Sequence, residues 1–467
     1  MMRSLLIARR RFVPAAILLV AVMVLPLSAA SSPQPADAGL VLEALAVLRE
    51  RYVDPIDPVV LLNGAIGGLR AALSSAGIQV VLPEISSGSA GPPAPGAAQA
   101  AQSSEAAFRT RFDAAVRAAA GRVTTTNLAY AAIRGMTATF NDSHTGFMTP
   151  DQNRERQLRQ QRQAAFSGIG VVLMPREGRF YVRDVIPGTP AEAAGIQSLD
   201  RIMRIDTVST AGLQTDQVAG LIRGPAGTSV SLVLDRPGRA DAVTLSVTRA
   251  PIQIPAVFQA RVFDGGVGYL QLYQFVSRTG ADVRRALEQM LGGGTRALVL
   301  DVRGNSGGYL HELTATLNTL LPPGRPIYQE TSRAGTRTTR TFGVPVLPSH
   351  IPVVVLIDES SASAAELLAA ALQEQGRATL IGAKTSGAVE ASILVDLSDG
   401  SALSVTITRL ASGQGRRLEQ SGVTPDVAVT MSVADLDQGR DTQLQRALLL
   451  ARQRLGLSEL VKPAATR

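Results

Sequence analysis

The segment P-V-V-V-L-I-D-E-S-S-A-S-A-A-E at residues 352–366 joins an apolar strand to a helix that continues through Leu372. A hydroxyl group at such a join lies beside free backbone N–H groups and the positive end of the helix, which together stabilise an oxyanion. Serine is also a common helix cap at this position. The segment therefore predicts an α/β unit whose serines serve either as a nucleophile or as caps.

The same alternation of strand and helix extends from Val267 to Ile381. This spacing is typical of βα units around a largely parallel sheet. Two apolar runs, 393–397 and 403–410, then predict a hairpin, because the Ser398-Asp399-Gly400 between them is turn-forming sequence. Residues 435–455 predict a C-terminal helix.

The chain before Pro251 has two other patterns. Between residues 164 and 250, short alternating strands surround two short helical segments. Helical periodicity at 40–52, 106–120 and 128–140 predicts a small helical N-terminal region. Residues 83–104 of that region are rich in Gly, Pro, Ala and Ser, and they predict a flexible, disordered insertion with little to bury.

The composition excludes several classes of protein. The 467 residues are enough for two or three domains. The absence of cysteine excludes disulfides, thiolate metal sites and a cysteine nucleophile. The net charge of +8 includes four arginines near the N-terminus, and the other charges are interspersed, so nucleic acid is not an expected partner. His311 and His350 lack metal-ligand spacing, and we expect neither a metal nor a cofactor.

Residues 1–30 have the three parts of a secretory signal peptide. Arginines precede the apolar run Phe12–Leu27, which ends in the small residues Ser28-Ala29-Ala30. We expect this segment to be cleaved and the protein to be periplasmic or extracellular, with no stable membrane span. If it is not cleaved, it anchors the protein to the membrane, although its apolar run is short for a span of about 20 residues.

Two further motifs carry a resemblance to a known family. The sequence D-V-R-G-N-S-G-G stands at residues 301–308, and G-V-T-P-D stands at residues 422–426. With the serine segment, they resemble motifs of the carboxyl-terminal processing peptidases, which are serine proteases with an internal PDZ domain.

The resemblance implies a domain organisation. The implied fold is an α/β protease core with parallel βα units, similar to crotonase and ClpP, at residues 251–435. A PDZ domain is implied at 164–250. The remaining parts are the helical N-terminal region, 31–150, and a C-terminal helix and tail, 436–467.

The resemblance also implies roles for individual residues. Glu366 matches the fixed glutamate three residues after the family's nucleophile, so the nucleophile would be Ser363. The oxyanion hole would use the amide of Ala364 and one amide from the Gly307-Gly308 turn. In the PDZ domain, Gly168-Ile169-Gly170 would be the loop that binds the terminal carboxylate of a peptide.

The general base is where the sequence departs from the family pattern. The position of the family's usual lysine is held by Ala388, and the chain has only two lysines, Lys384 and Lys462. The usual Ser–Lys dyad therefore cannot form. One alternative keeps the enzyme and recruits Lys384 through a shifted loop.

A second branch of the superfamily, the tricorn-type peptidases, offers another base. Those enzymes use serine, histidine and glutamate, and the matching residues here are Ser143, His144 and Glu419. A neutral histidine can accept the serine proton while glutamate orients the ring. The resemblance thus implies a triad of Ser363, His144 and Glu419 with Ser143 in support. Because lysine-using members also carry a histidine at this point, His144 is alternatively a packing residue.

The function implied by these residues is that of an exported serine endopeptidase. Its PDZ domain would select or gate polypeptide substrates with apolar C-termini, and an adaptor protein of the cell envelope is a potential partner. The alternative function is that of a catalytically inactive periplasmic peptide-binding protein. The sequence gives no indication of the oligomeric state.

Overall fold

The structure is a computed structural model, which describes residues 36–86, 97–140, 142, 144–164 and 167–457. The predicted signal peptide at 1–30, most of the C-terminal tail and Ser143 lie outside these residues. Within them, no helix combines the length and apolar character that a membrane crossing requires.

Helices dominate the N-terminal region. Its elements are α1 (Ala38–Arg51), α2 (Pro58–Ser75), α3 (Ala97–Ala119), α4 (Thr125–Thr137), β1 (Gly146–Met148) and α5 (Pro150–Ala164). Helices α2 and α4 pack closely, because a Cβ on Gly68 would lie only 2.0 Å from the Ala131 carbonyl oxygen. Glycines that permit this contact lower helix propensity, which explains why the sequence did not predict α2.

The prediction of a disordered insertion at 83–104 is wrong at both ends, because Ile85 near the N-terminal end is buried and its N–H donates to Asn63 Oδ1 at 2.8 Å. Helix α3 begins at Ala97, inside that range. The segment that starts there is A-A-Q-A-A-Q, and alanine and glutamine both favour helix. Residues 87–96 lie outside the described part of the chain, so for them the prediction stays open.

A PDZ-like unit of short strands follows. Its elements are β2 (Ser167–Gly168), β3 (Val171–Arg176), β4 (Arg179–Val185), α6 (Pro190–Ala193), β5 (Arg201–Ile205), β6 (Val208–Ser209), α7 (Thr215–Ile222), β7 (Ser229–Asp235), β8 (Val243–Thr248) and β9 (Ala250–Pro251). The antiparallel sheet has the order β3-β4-β5-β7-β8, and β2 pairs with β9. The unit has the short strands and the two short helices that the sequence predicted between residues 164 and 250.

The core contains a six-stranded sheet. In spatial order its strands are β10 (Val257–Phe263), β11 (Val267–Leu272), β12 (Ala297–Asp301), β15 (Val353–Ile357), β16 (Ala378–Gly382) and β19 (Val427–Ala428). All neighbouring pairs except β10–β11 are parallel. Because both faces are covered, β15 is buried along its whole length.

Helices pack on both faces of this sheet. One face carries α8 (Thr279–Gly292), α9 (Leu310–Leu320) and α10 (Ala364–Glu374). The other carries α12 (Thr442–Arg454), whose Ala447 and Ala451 belong to one hydrophobic cluster with Val299 and Val354 of the sheet. The predicted C-terminal helix is in fact two helices, because α11 (Val433–Asp437) ends before Gly439, which has a positive φ of 69°.

A second sheet brings the N-terminal region to the core. Its strands are β13 (Pro326–Ser332), β14 (Gly335–Arg340), β17 (Ala391–Asp396) and β18 (Ala402–Ser412), together with β1. Strands β17 and β18 form the predicted hairpin. Strand β1 pairs with β18, with Gly146 opposite Ser404. The residues just before β1 are thereby held beside the core.

Candidate active site

Ser363 is the residue directly before α10, and its backbone is unusual. Its φ and ψ are 54° and −119°. An ordinary capping serine has an extended backbone, whereas a positive φ is uncommon outside glycine. The N–H of Ser363 donates to the Ala388 carbonyl oxygen at 3.0 Å and to Glu366 Oε2 at 3.1 Å. A strained serine at a strand–helix turn favours a nucleophile over a simple cap.

Glu366 connects the loop at residues 383–390 to the first turn of α10. Its fully buried carboxylate accepts hydrogen bonds from the Thr385 hydroxyl at 2.5 Å and from the N–H groups of Gly387 and Ala388 at 2.7 and 3.0 Å. The loop therefore cannot move away from Ser363 without breaking these bonds. Position 388, where the family's lysine would stand, lies beside Ser363 and carries only a methyl group.

The Gly307-Gly308 turn lies against Ser363. A Cβ on Gly307 would lie 2.7 Å from Ser363 Cβ and 2.9 Å from the Ala364 nitrogen, so only glycine fits. The Gly307 N–H donates to Asn305 Oδ1 at 2.8 Å. Among the described residues, no carbonyl group in a turn, loop or cap accepts a hydrogen bond from the N–H of Gly308 or of Ala364. These two amides are therefore the candidate oxyanion donors.

His144 is held by a turn just before β1. Asp142 Oδ1 accepts hydrogen bonds from the N–H groups of His144 at 2.9 Å and Thr145 at 2.5 Å. Its Oδ2 accepts from the Tyr52 hydroxyl at 3.0 Å, and Oδ1 also accepts from Thr406 on β18 at 3.2 Å. Asp142 therefore fixes the backbone of His144 to both α1 and the core.

Glu419 lies next to the His144 ring. His144 Nδ1 is 3.4 Å from Glu419 Oε1, and the Glu419 side chain is fully buried. Glu419 Oε2 accepts hydrogen bonds from the N–H groups of Val389 and Glu390 at 2.9 and 3.2 Å. The hydrogen bond to Glu419 raises the pKa of His144, although burial opposes this. The sequence-predicted pair is thus in contact.

Lys384, the alternative base, is in the same loop but has a different environment. Its side chain is exposed, whereas its neighbour Thr385 is buried against Glu366. Thr385, Gly387 and Ala388 are instead bonded to Glu366 of α10. The predicted support residue Ser143 lies outside the part of the chain that the structure describes.

Among the described residues, one group has the spacing of metal ligands. His144, Glu390 and Glu419 each offer one atom, and these atoms lie within 4.8 Å of one another. Glu390 Oε1 already contacts Arg409 Nε at 3.5 Å and Arg417 at 3.6 Å, and Glu419 binds two N–H groups. These existing partners oppose the binding of a further cation by the group. That the protein uses no metal or cofactor stays a prediction.

The predicted carboxylate loop of the PDZ domain is rigidly held. The carbonyl oxygen of Ile169 accepts from the Ala191 N–H at 2.7 Å, and that of Gly170 accepts from the Ile186 N–H at 2.9 Å. Gly170 has a φ of 91°, and a Cβ there would lie 2.2 Å from Thr189 Oγ1. Gly168 instead belongs to β2 and pairs with Ala250.

Comparison with known proteins gives the family. Residues 266–429 match peptidase family S41, and residues 181–236 match a PDZ domain. The sequence is 33% identical to the carboxyl-terminal-processing protease of Synechocystis sp. over 326 residues, which is 68% of this chain and 76% of that protein. This chain belongs to the carboxyl-terminal processing peptidases of family S41. It is therefore a serine-type peptidase with a PDZ domain, and the predicted family and fold class are confirmed.

Two further proteins are similar to this chain. The carboxyl-terminal-processing protease of Picosynechococcus sp. is 30% identical over 337 residues, 71% of this chain and 81% of that protein. A solved structure, the photosystem II D1 C-terminal processing protease, has 25% sequence identity to this chain and a TM-score of 0.49. The match covers 88% of this chain and 99% of that one.

The sequence analysis missed two acidic residues of the site. Asp142 holds the turn that carries His144, and Glu390 is buried beside Glu419. Asp142 directly precedes Ser143-His144-Thr145, and an aspartate before such polar residues is a frequent turn signal. Nothing in the sequence around Glu390 distinguishes it from an exposed acid.

Proposed function

We propose that the peptidase is exported and cleaves polypeptides with a triad of Ser363, His144 and Glu419, selecting them by their C-termini through the PDZ domain. The observation that carries the proposal is the 3.4 Å contact between His144 Nδ1 and buried Glu419 Oε1. Adjacent residues link this pair to the serine, because Ala388 contacts Ser363 and Val389 contacts Glu419.

The proposed mechanism begins when Ser363 Oγ attacks the scissile carbonyl carbon and Nε2 of neutral His144 accepts its proton. Nδ1–H of the ring donates to Glu419, which orients the ring and stabilises the imidazolium. The oxyanion accepts hydrogen bonds from the N–H groups of Ala364 and Gly308. The imidazolium then protonates the leaving amine, and water hydrolyses the acyl-enzyme with His144 again as base. Ser143 is proposed to support this site.

The pH dependence of cleavage tests this mechanism. We expect kcat/KM on an unfolded polypeptide to rise with pH through one ionisation whose midpoint lies above about 6.5, the ordinary pKa of histidine. Glu419 raises the pKa of His144, and a base acts only in its neutral form, so activity is gained as the pH passes that raised pKa. The measurement is a pH–rate profile of the purified mature protein.

Other profiles would contradict the mechanism. A rate that rises only toward about 10.4, the ordinary pKa of lysine, would point to Lys384 as the base. A folded protein that cleaves no unfolded polypeptide but binds free C-termini would instead support the peptide-binding function without catalysis.

The PDZ geometry supports selection by C-termini. In a trans peptide the N–H points opposite to the preceding carbonyl, so the Gly170 N–H faces away from α6, to which the Ile169 carbonyl is bonded. Strand β3 and helix α7 lie side by side. Their apolar side chains Val171, Leu173 and Leu221 are only partly buried. An amide that faces away from α6, beside partly exposed apolar side chains, suits a peptide with an apolar C-terminus.

A peptide-binding experiment tests this selection. With the Ser363→Ala protein, we expect a labelled peptide with an apolar C-terminus to bind at least about 10-fold more tightly as the free acid than as the amide. The amide is neutral and loses the charge-assisted hydrogen bonds that the carboxylate accepts. Gly170→Val should weaken binding of the free acid by a similar factor. Gly292→Ala should not weaken it, because Gly292 is a helix residue with open space around it. Equal anisotropy titrations for acid and amide would show that the loop does not bind the carboxylate.

A further inference from the structure

Glu390 is a second buried carboxylate beside the His144–Glu419 pair. It directly precedes β17 and is 6% exposed. One of its carboxylate oxygens lies within 4.8 Å of a ring nitrogen of His144 and of an oxygen of Glu419. Its own N–H donates to Glu419 Oε2 at 3.2 Å. Glu390 therefore contacts the proposed catalytic pair through its backbone and faces it with its side chain.

The charges around Glu390 come from several elements of the site. Two arginines on one side form ion pairs with its Oε1, Arg409 of β18 at 3.5 Å and Arg417 at 3.6 Å. That oxygen has no hydrogen-bond partner within the described part of the chain. The other titratable groups that act on it or on its neighbours are Glu419, Asp142, His144, Tyr52 and Asp54.

Burial of this carboxylate costs free energy of desolvation, which the ion pairs with the two arginines only partly offset. Desolvation, followed by the charges of Glu419 and Asp142, raises the pKa of Glu390. A carboxylate that only filled space could be replaced by an uncharged residue of similar size without this cost. In its ionised form, however, Glu390 adds negative charge next to the imidazole and favours the imidazolium.

We propose that Glu390 is a positioning residue of the active site, which adds a second negative charge behind His144 and is itself partly neutralised by Arg417. This inference rests on the proposed role of His144 as the base. Glu419 orients the ring directly, whereas Glu390 acts on it through space and through its backbone bond to Glu419. The two arginines are not equivalent, since Arg417 is half-exposed and Arg409 is also bonded to Asp54.

The proposal predicts changes of opposite sign. Glu390→Gln removes a negative charge and should lower the pKa of His144 by about half to one pH unit, a screened through-space effect. Arg417→Gln removes a positive charge and should raise that pKa by a smaller amount. Glu390→Asp should leave the pKa close to that of the parent protein. A purely structural role for Glu390 predicts no such pair of opposite shifts.

Direct titration of His144 measures these shifts. The chain has three histidines, so ¹³C-histidine labelling of the full protein gives three ring signals, with His311 and His350 as internal references. The His144→Gln variant assigns the third signal. We expect only the His144 midpoint to move, down in Glu390→Gln and up in Arg417→Gln. Because Arg417 is half-exposed, its variant tests the proposal even if Glu390→Gln does not fold.

Rate profiles of the same variants separate this inference from the proposed function. If the kcat/KM midpoint follows the NMR midpoint, both proposals are supported. An NMR shift that the rate profile does not follow supports the coupling of Glu390 to His144 and contradicts His144 as the base. Unchanged His144 midpoints in folded Glu390→Gln and Arg417→Gln proteins overturn the inference, while the parent rate profile continues to test the triad separately.

Discussion

The Ser363→Ala variant should lose polypeptide cleavage by about 10⁵–10⁶-fold, because the other members of a triad cannot act without the nucleophile. We expect the fold to survive. The substitution removes one hydroxyl from the start of α10, which costs at most about 0.5–2 kcal/mol if it served as a cap. The backbone bonds of Ser363 to Ala388 and Glu366 do not depend on the side chain.

A neighbouring serine provides the matched control. Ser360 is exposed and lies three residues earlier in the same loop. Ser360→Ala should therefore cleave an unfolded, apolar-ended polypeptide at close to the parent rate. Both variants are compared with the parent protein by product formation and by thermal unfolding. Cleavage retained in Ser363→Ala, above that of a mock preparation, would show that another residue is the nucleophile.

The sequence predicted the fold best in segments where the hydrophobic pattern and the flanking turn residues indicate the same element. Strands β11, β12, β15 and β16 and the short strands of the PDZ domain are apolar runs between turn residues, and they lie where the strand–helix alternations at 267–381 and 164–250 were predicted. Helix α2 was missed because its close contact with α4 requires glycines that weaken the helical signal. The hairpin β13–β14 was missed because its strands are mostly polar and partly exposed.

The active site was only partly readable from the sequence for a different reason. His144 and Glu419 are far apart in the chain, and only the family pattern linked them. Their contact depends on the pairing of β1 with β18 and on the Asp142 turn, which are tertiary features. Glu390 has no motif at all, and its importance follows only from its burial beside Glu419. Long-range placement of single polar side chains is the part that periodicity does not encode.

The choice of base has the second largest expected effect, and three substitutions decide it. We expect His144→Ala to lose about as much activity as Ser363→Ala, since the two act as a unit. Glu419→Gln should lose about 10⁴-fold, because an amide at this position would support the wrong ring tautomer. It should nevertheless fold, since its amide oxygen can still accept from the N–H groups of Val389 and Glu390.

Lys384→Ala is the control for these variants, because the exposed lysine lies on the same loop as Ala388. We expect its kcat/KM to stay within about twofold of the parent value, as is usual for exposed substitutions away from special contacts. The double variant Ser363→Ala/His144→Ala should be no slower than either single variant, which would show that the two residues share one step. If instead Lys384→Ala abolishes cleavage and His144→Ala spares it, the triad is wrong and the base is the lysine. We expect His144→Ala to lose activity and Lys384→Ala to keep it, because Ala388 has no side-chain amine and His144 contacts buried Glu419.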